Sequence, residues 1–154
     1  MNALWAIFTD GSMYARVKAD SSAVPKVVEE TMRWMGPVQS ATRHVDRDCE
    51  YKGTRLGKGE TINCMLAAAN RDASVFPEPN TFDPDRKNLQ RHLGFAMGVH
   101  GCLGLNLARA EARIALTSLL AELPDLRMVV SETLPPSGYE FRQSRRLMAA
   151  WGGG

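Results

Sequence analysis

A cysteine set between glycines, immediately before a long apolar helix, is the feature that most constrains this chain. The run reads Phe95-Ala96-Met97-Gly98-Val99-His100-Gly101-Cys102-Leu103-Gly104. Apolar residues then recur at helical spacing over residues 103–123, in a stripe wide enough to predict a largely buried helix. Free backbone N–H groups and the positive end of the helix dipole favour a thiolate at a helix start. The nearby glycines would let the backbone approach a flat ligand closely.

The rest of the sequence predicts a mainly α fold with small β-sheets (α+β). Apolar spacing and breaking residues predict helices over residues 2–8, 13–19 and 22–35, the last ended by Gly36-Pro37. Short runs broken by glycine predict two or three strands of a hairpin sheet within residues 46–67, and terminal strands at residues 126–130 and 147–151. Residues 70–101 carry many prolines and glycines with little periodicity, and so long an irregular stretch is typical of a functional segment.

Composition and charge exclude several classes of protein. With 154 residues, 44% of them hydrophobic and 23% charged, the chain has the composition of one ordinary globular domain. The net charge is +2 and no basic run is present, so no nucleic-acid partner is expected. The apolar start over residues 2–8 is far shorter than the ~20 residues of a membrane span, so no membrane partner is expected either. Three widely spaced cysteines fit a reducing cytoplasm.

The run around Cys102 resembles the cysteine loop of the cytochrome P-450 family, whose pattern is F-x-x-G-x-x-x-C-x-G. Phe95, Gly98, Cys102 and Gly104 match its four fixed positions. The resemblance implies that Cys102 is the proximal thiolate ligand of the iron of haem b, with the other three residues lining the cofactor. The family often has glycine where this chain has Ala96, which is tolerated unless that position takes a positive φ. The alternative is a buried, inert cysteine.

A second motif strengthens the resemblance. Glu30 and Arg33 form an E-x-x-R pair on the third predicted helix, and Pro79-x-x-Phe82-x-Pro84-x-Arg86 resembles the segment that supplies a second arginine in the family. The resemblance implies a buried structural triad of Glu30, Arg33 and Arg86 that braces the irregular stretch. Taken alone, an i,i+3 pair is more often an ordinary surface salt bridge.

Further positions follow from the resemblance alone. His100 and Arg43 correspond to residues that hold the haem propionates in many relatives, where cationic or N–H donors bind a carboxylate well. Residues 38–42 and 141–145 correspond to two loops that reach the substrate pocket, which makes Val38, Gln39 and Ser40 possible substrate contacts. The alternative for all of these residues is a solvated or connecting role.

The resemblance covers residues 1–154 as the C-terminal, haem-binding portion of the P-450 fold. It implies a haem-thiolate monooxygenase that oxidises a small apolar or partly polar organic substrate with O₂ and electrons from a ferredoxin/reductase-type donor. The N-terminal part of the family sequence and its acid and threonine motif have no counterpart, so a truncated form is expected and no catalytic residue is assigned. Part of the long helix is then expected to expose apolar surface.

Basic residues suggest where an acidic donor would dock. Arg109 and Arg113 stand one helical turn apart, with Arg91 and His92 upstream, although a solvated helix face is the simpler explanation.

The sequence leaves three other functions open. The first is a non-catalytic haem-binding or gas-sensing module that retains only the proximal site. The second is a cysteine hydrolase that pairs Cys102 with His100 or His44, although no orienting acid is evident. The third is a zinc site formed by His92, His100 and Cys102, which lacks an evident fourth ligand.

Overall fold

The computed structural model describes residues 1–123 and 125–152. Its helices are α1 (Asn2–Thr9), α2 (Gly11–Ala19), α3 (Val24–Met35), α4 (Leu66–Ala69) and α5 (Leu105–Glu122). Its strands are β1 (Ala41–His44), β2 (Cys49–Tyr51), β3 (Thr54–Leu56), β4 (Thr61–Cys64), β5 (Arg127–Met128) and β6 (Ala149–Ala150). Single 3₁₀ turns lie at Ser21–Ala23, Leu89–Arg91, Gly98–His100 and Val130–Glu132. The predicted mainly α fold with small sheets is confirmed.

Local side-chain chemistry explains where α2 begins and where α3 begins and ends. The Asp10 side chain accepts hydrogen bonds from the backbone N–H groups of Ser12 and Met13 at 3.0 and 3.2 Å, and so caps the N-terminus of α2. Pro25 lies in the first turn of α3, where its missing N–H has no cost. Gly36, followed by Pro37, ends α3 as predicted.

The hydrophobic core lies where α1, α2, α3 and α5 meet. The apolar residues of α3 recur every three or four positions and pack into this core, while Glu30 and Arg33 are buried on another side of the same helix. The buried core residues are Ile7, Met13, Val17, Ala23, Val24, Val27, Val28, Leu116 and Leu120. This packing holds α3, which carries Glu29, Glu30 and Arg33, against α5, which carries Arg109.

Helix α5 departs from the prediction in two ways. It begins at Leu105 rather than at residue 103, and within the described range only Leu116 and Leu120 of this helix are buried. Leu107 and Ile114, which belong to the predicted apolar stripe, are 64% and 59% exposed. The prediction of a largely buried helix was therefore wrong for this chain, because only one side of α5 meets other elements. No helix within residues 1–123 and 125–152 is long and apolar enough to cross a membrane.

Three two-stranded antiparallel sheets flank the helices. Strands β1 and β4 pair with Thr42 opposite Asn63, β2 and β3 form a hairpin between them, and β5 pairs with β6. The terminal strands lie inside their predicted ranges but are shorter. Strand β1 lies before the predicted range of residues 46–67. It was missed because its mostly exposed Ala-Thr-Arg-His run has no alternation of buried and exposed residues. An isolated bridge joins Val38 to Phe141.

Candidate functional site

The segment from Phe95 to Gly104, here called the cysteine loop, presents the thiol of Cys102 just before α5. The backbone N–H of Cys102 donates to the carbonyl oxygen of Phe95 at 2.9 Å and closes the loop. Inside it, the N–H of Gly101 donates to the carbonyl oxygen of Gly98 at 2.9 Å. Cys102 is exposed, so the alternative of a buried, inert cysteine is wrong.

Two residues of the cysteine loop take positive φ angles. Gly98 has φ +69° and Ala96 has φ +57°. A glycine adopts this left-handed conformation freely, whereas any residue with a Cβ does so at a cost of roughly 1–2 kcal/mol. The condition under which alanine would be unfavourable at position 96 is therefore met in this structure.

The surroundings of Cys102 fit a haem. Val99 and Leu103 are fully exposed and Met97 is largely so, so the loop that carries the thiol presents apolar side chains at its surface. A Cβ built at Gly104 would approach only the Cys102 Sγ, at 3.9 Å, so the backbone beside the thiol is accessible. No group of three metal-binding side chains occurs within the described residues. A thiolate that acts as a single protein ligand suits an iron whose other ligands come from a macrocycle.

His100 and Arg43 have no fixed acidic partner among the described residues. His100 ends the 3₁₀ turn of the cysteine loop and is exposed. Arg43 is exposed on β1, and its Nη1 donates to the neighbouring Thr42 carbonyl oxygen at 2.8 Å. Both side chains are therefore able to donate to an external carboxylate, and the assignment to propionates stays a prediction.

Glu29 on α3 forms a network behind the cysteine loop. Its carboxylate accepts two hydrogen bonds from Arg109, from Nε at 2.6 Å and from Nη2 at 2.8 Å, and one from His92 Nε2 at 2.9 Å. Burial disfavours the charged carboxylate, but the hydrogen bonds from His92 and Arg109 outweigh this and lower the pKa of Glu29 to about 2. His92 Nδ1 accepts from the backbone N–H of Gly94 at 3.0 Å, so both ring nitrogens are occupied.

The structure brings Glu30, Arg33 and Arg86 together. Arg33 donates to both oxygens of Glu30 at 2.7 Å, in the planar two-bond arrangement that strengthens arginine–carboxylate pairs. Arg86 Nε reaches the same carboxylate at 3.2 Å. Glu30 and Arg33 are completely buried, unlike an ordinary surface salt bridge.

These two arginines also bind the irregular stretch through its backbone. Arg33 donates to the carbonyl oxygens of Asn70, Pro79 and Thr81 at 2.9–3.0 Å, and with its two bonds to Glu30 this uses all five of its N–H donors. Arg86 donates to the carbonyl oxygens of Pro77, Glu78 and Thr81. A segment without regular secondary structure therefore has its carbonyl groups satisfied from inside the protein.

The two predicted substrate loops lie side by side. The N–H of Gln39 donates to the carbonyl oxygen of Glu140, and the N–H of Arg142 donates to that of Pro37, both at 2.8 Å. Gln39 is buried and its side-chain amide donates to the Gly36 carbonyl oxygen, while Ser40 is buried with no hydrogen-bond partner among the described residues. Val38 is half-buried. Contact of Val38, Gln39 and Ser40 with a substrate stays a prediction.

The structure removes two of the alternative functions. Within the described residues, no hydrogen bond joins Cys102 to His100 or His44, and His44 Nδ1 lies 3.3 Å from the Thr61 hydroxyl instead. A cysteine hydrolase therefore has no base in place. His92 is buried with both nitrogens engaged, which excludes it as a zinc ligand.

The predicted basic docking face needs a correction. Arg109 is paired with Glu29 and His92 is buried, so neither offers a free charge. Arg91 and Arg113 remain exposed on the described surface.

Two anchoring residues escaped the sequence analysis. Glu29 stands beside Glu30, but its partners lie 63 and 80 residues away along the chain, so no local pattern marks it. Asn70 is buried, and its side-chain oxygen accepts from the N–H of Leu93 at 2.6 Å, which fixes the approach to the cysteine loop. Because Asn70 and Leu93 are 23 residues apart, no local pattern indicates this contact.

The fold and the site define a class of protein that is mainly helical, has small sheets and presents one cysteine on a loop before a long helix. Comparisons identify the family. The family model for Cytochrome P-450 matches residues 22–134. A cytochrome P-450 of Mycobacterium tuberculosis is 42% identical over 127 residues, which cover 82% of this chain and 27% of that relative. The chain belongs to the cytochrome P-450 family.

Two further proteins give the same result. The steroid C26-monooxygenase of M. tuberculosis is 40% identical over 120 residues, or 78% of this chain and 30% of that enzyme. The crystal structure of the P-450 haem domain of Tepidiphilus thermophilus matches with a TM-score of 0.91 at 35% identity, over 97% of this chain and 36% of that one. The chain thus spans about a third of the length of the proteins it matches.

Proposed function

We propose that residues 1–154 are the C-terminal, haem-binding portion of a haem-thiolate monooxygenase. The observation that carries this proposal is the exposed thiol of Cys102, held at the start of α5 by the hydrogen bond from its N–H to the Phe95 carbonyl oxygen at 2.9 Å. The cofactor would be haem b. When bound, it supplies the activation of O₂ that lets one oxygen atom enter an organic substrate.

The residues of the chain have separate roles in this proposal. Cys102 binds the iron as a thiolate, stabilised by the N-terminal end of α5. Phe95, Gly98 and Gly104 shape the surface beside it, and the exposed apolar side chains of the loop cover part of the porphyrin. His100 and Arg43 donate hydrogen bonds to the propionates.

The remaining roles are assigned to the edges of the site. Val38, Gln39 and Ser40 contribute one edge of the pocket for a small apolar or partly polar substrate. Electrons come from a ferredoxin/reductase-type donor that meets the exposed Arg91 and Arg113. Three free, exposed cysteines suit a reducing compartment such as the cytoplasm.

A haem-binding or gas-sensing module is the second candidate, and one observation favours it. The Thr9 hydroxyl donates to the Trp5 carbonyl oxygen at 2.8 Å, and the Asp10 carboxylate caps α2. These adjacent residues, a threonine and an acid at the junction of α1 and α2, both serve local structure, so they are not set up to deliver protons during oxygen activation. A module of this kind would bind haem at Cys102 without forming product.

Peroxide-driven oxidation of a test substrate separates the two functions. Peroxide carries oxygen that is already reduced by two electrons, so no redox partner is needed. A monooxygenase is expected to form oxygenated product in the haem-loaded state and to lose this activity in Cys102→Ser. Haem uptake without any product would support the module instead.

The matched controls are Cys49→Ser and Cys64→Ser, which remove the two other exposed thiols. Both are expected to retain product formation. Equal loss of activity in all three variants would contradict the assignment of Cys102.

A further inference from the structure

The start of the cysteine loop is attached to two helices through the carboxylate of Glu29. This side chain is 11% exposed and lies on α3, whereas Arg109 comes from α5 and His92 from the segment that enters the loop. Three charge-assisted hydrogen bonds of 2.6–2.9 Å converge on its two oxygens. No other carboxylate joins His92 or Arg109 within the described part of the chain.

The contacts continue from this carboxylate to the loop. His92 Nδ1 accepts the hydrogen bond of the Gly94 N–H at 3.0 Å, and the Arg109 guanidinium lies over the Phe95 ring at 5.0 Å from its centre. The carbonyl oxygen of Phe95 in turn accepts the hydrogen bond of the Cys102 N–H. An unbroken series of contacts therefore runs from Glu29 to the backbone of Cys102.

The network holds the loop on both sides of the thiol. His92 lies ten residues before Cys102, and Arg109 lies seven residues after it. Gly94 packs so closely on α3 that an added Cβ would lie 2.7 Å from the Met32 carbonyl oxygen. By contrast, Met97, Val99 and Leu103 within the loop are exposed, and Ala96 and Gly98 take positive φ. A loop with so few contacts of its own depends on the attachment of its two ends.

We propose that Glu29 is a positioning residue that holds the cysteine loop, through His92 and Arg109, in the conformation that presents Cys102. The importance of this conformation rests on the proposed role of Cys102 as an iron ligand. The positioning itself is a property of the protein without its cofactor. It can therefore be measured separately from ligation.

Amide hydrogen exchange of the chain without haem tests the positioning. In Glu29→Gln, the amides of Gly94 and Cys102 are expected to exchange faster by roughly tenfold or more, because a buried charge-assisted network is lost. Amides of the β1–β4 pair and of α2 are expected to keep their rates. Arg109→Gln, whose native side chain is 35% exposed, provides a milder variant that leaves His92 on Glu29.

Arg113→Gln is the matched control, because Arg113 lies one turn after Arg109 on α5 and is exposed. It is expected to change none of these rates. Unchanged exchange at Gly94 and Cys102 in Glu29→Gln and Arg109→Gln would overturn the proposal. A uniform increase at every amide would also overturn it, since Glu29 would then support global stability only.

A spectroscopic measurement on the haem-loaded, reduced protein under carbon monoxide adds a readout that a purely structural role would not change. At equal haem content, Glu29→Gln is expected to show a smaller fraction of the red-shifted Soret band of thiolate ligation than wild type, and Arg113→Gln an unchanged fraction. An equal fraction in all three proteins would overturn the proposal. If Cys102→Ser retains the band, the proposal that Cys102 ligates the iron is wrong. The hydrogen-exchange result would still test the positioning of the loop by Glu29.

Discussion

Two segments of the molecule contain little regular secondary structure: the irregular stretch of residues 70–94 and the cysteine loop. They are stabilised in opposite ways. In the first, Arg33 and Arg86 donate to backbone carbonyl oxygens, and Glu30 accepts the N–H of Asp83 at 2.8 Å. In the second, a few backbone hydrogen bonds close a loop whose tip points apolar side chains and a thiol into solvent.

This difference shows that the two irregular segments have different roles in the molecule. Buried charges replace a helix or sheet in the first segment, because Glu30, Arg33 and Arg86 supply hydrogen-bond partners that regular secondary structure would otherwise give to its backbone groups. The cysteine loop has exposed apolar groups that no part of the described chain covers. The first segment therefore serves as support, and the second is the surface that a ligand can use.

The largest expected effect comes from breaking the support. Glu30→Gln leaves the completely buried Arg33 guanidinium without its carboxylate, and we expect the free energy of unfolding to fall by about 3–5 kcal/mol. Urea denaturation followed by circular dichroism measures this loss. A loss below about 1 kcal/mol would show that the support lies elsewhere.

Acid should weaken the attachment of the cysteine loop at Glu29. Its pKa is about 2 in the folded protein and near the ordinary glutamate value of 4.5 in the unfolded chain. The stabilisation by its charge is complete above the unfolded pKa, and is lost as the pH falls from about 4.5 to about 2, because the unfolded chain then binds a proton first.

The comparison that tests this effect is between wild type and Glu29→Gln. Urea denaturation at neutral pH and at about pH 3 is expected to show a stability difference that narrows in acid, because glutamine carries no charge to lose. A difference that stays constant between these two conditions would contradict the assignment.

A smaller effect is expected inside the cysteine loop. Ala96→Gly relieves the positive φ of +57°, although glycine also has more freedom to lose on folding. We expect a net stabilisation of up to about 1 kcal/mol. Ala115→Gly, at an exposed position within α5, is the matched control and should destabilise the protein by about 1 kcal/mol. Thermal unfolding tests whether Ala96→Gly is more stable, and Ala115→Gly less stable, than the wild-type protein.

The smallest effect is expected at the surface. Asp85 accepts hydrogen bonds from Arg16 and Lys26 at 2.7–3.0 Å, but all three side chains are more than a third exposed. Asp85→Asn is therefore expected to cost less than about 1 kcal/mol, and the cost should shrink further in high salt. A loss as large as that of Glu30→Gln would contradict the contrast between buried and exposed carboxylates.

The sequence could predict those features that depend on residues close together in the chain. Periodicity located α1, α2 and α3, and the spacing of four residues around Cys102 identified the family. The pairing of Glu30 with Arg33 and Arg86 came from the resemblance, since the i,i+3 spacing alone predicts only a surface salt bridge.

The missed features depend on contacts between distant parts of the chain. Glu29 meets His92 and Arg109 only after α3, the cysteine loop and α5 have packed together. Strand β1 forms because β4, about twenty residues later, pairs with it. The exposure of Ile114 depends on what packs against α5, which the apolar pattern of the helix does not reveal.

The ligation of the haem iron by Cys102 can be measured from the absorption spectrum of the haem-loaded, reduced protein under carbon monoxide. We predict a strongly red-shifted Soret band in wild type, Cys49→Ser and Cys64→Ser, and its loss in Cys102→Ser. A red-shifted band that persists in Cys102→Ser, or an unshifted band in the wild-type protein, would show that Cys102 is not the iron ligand.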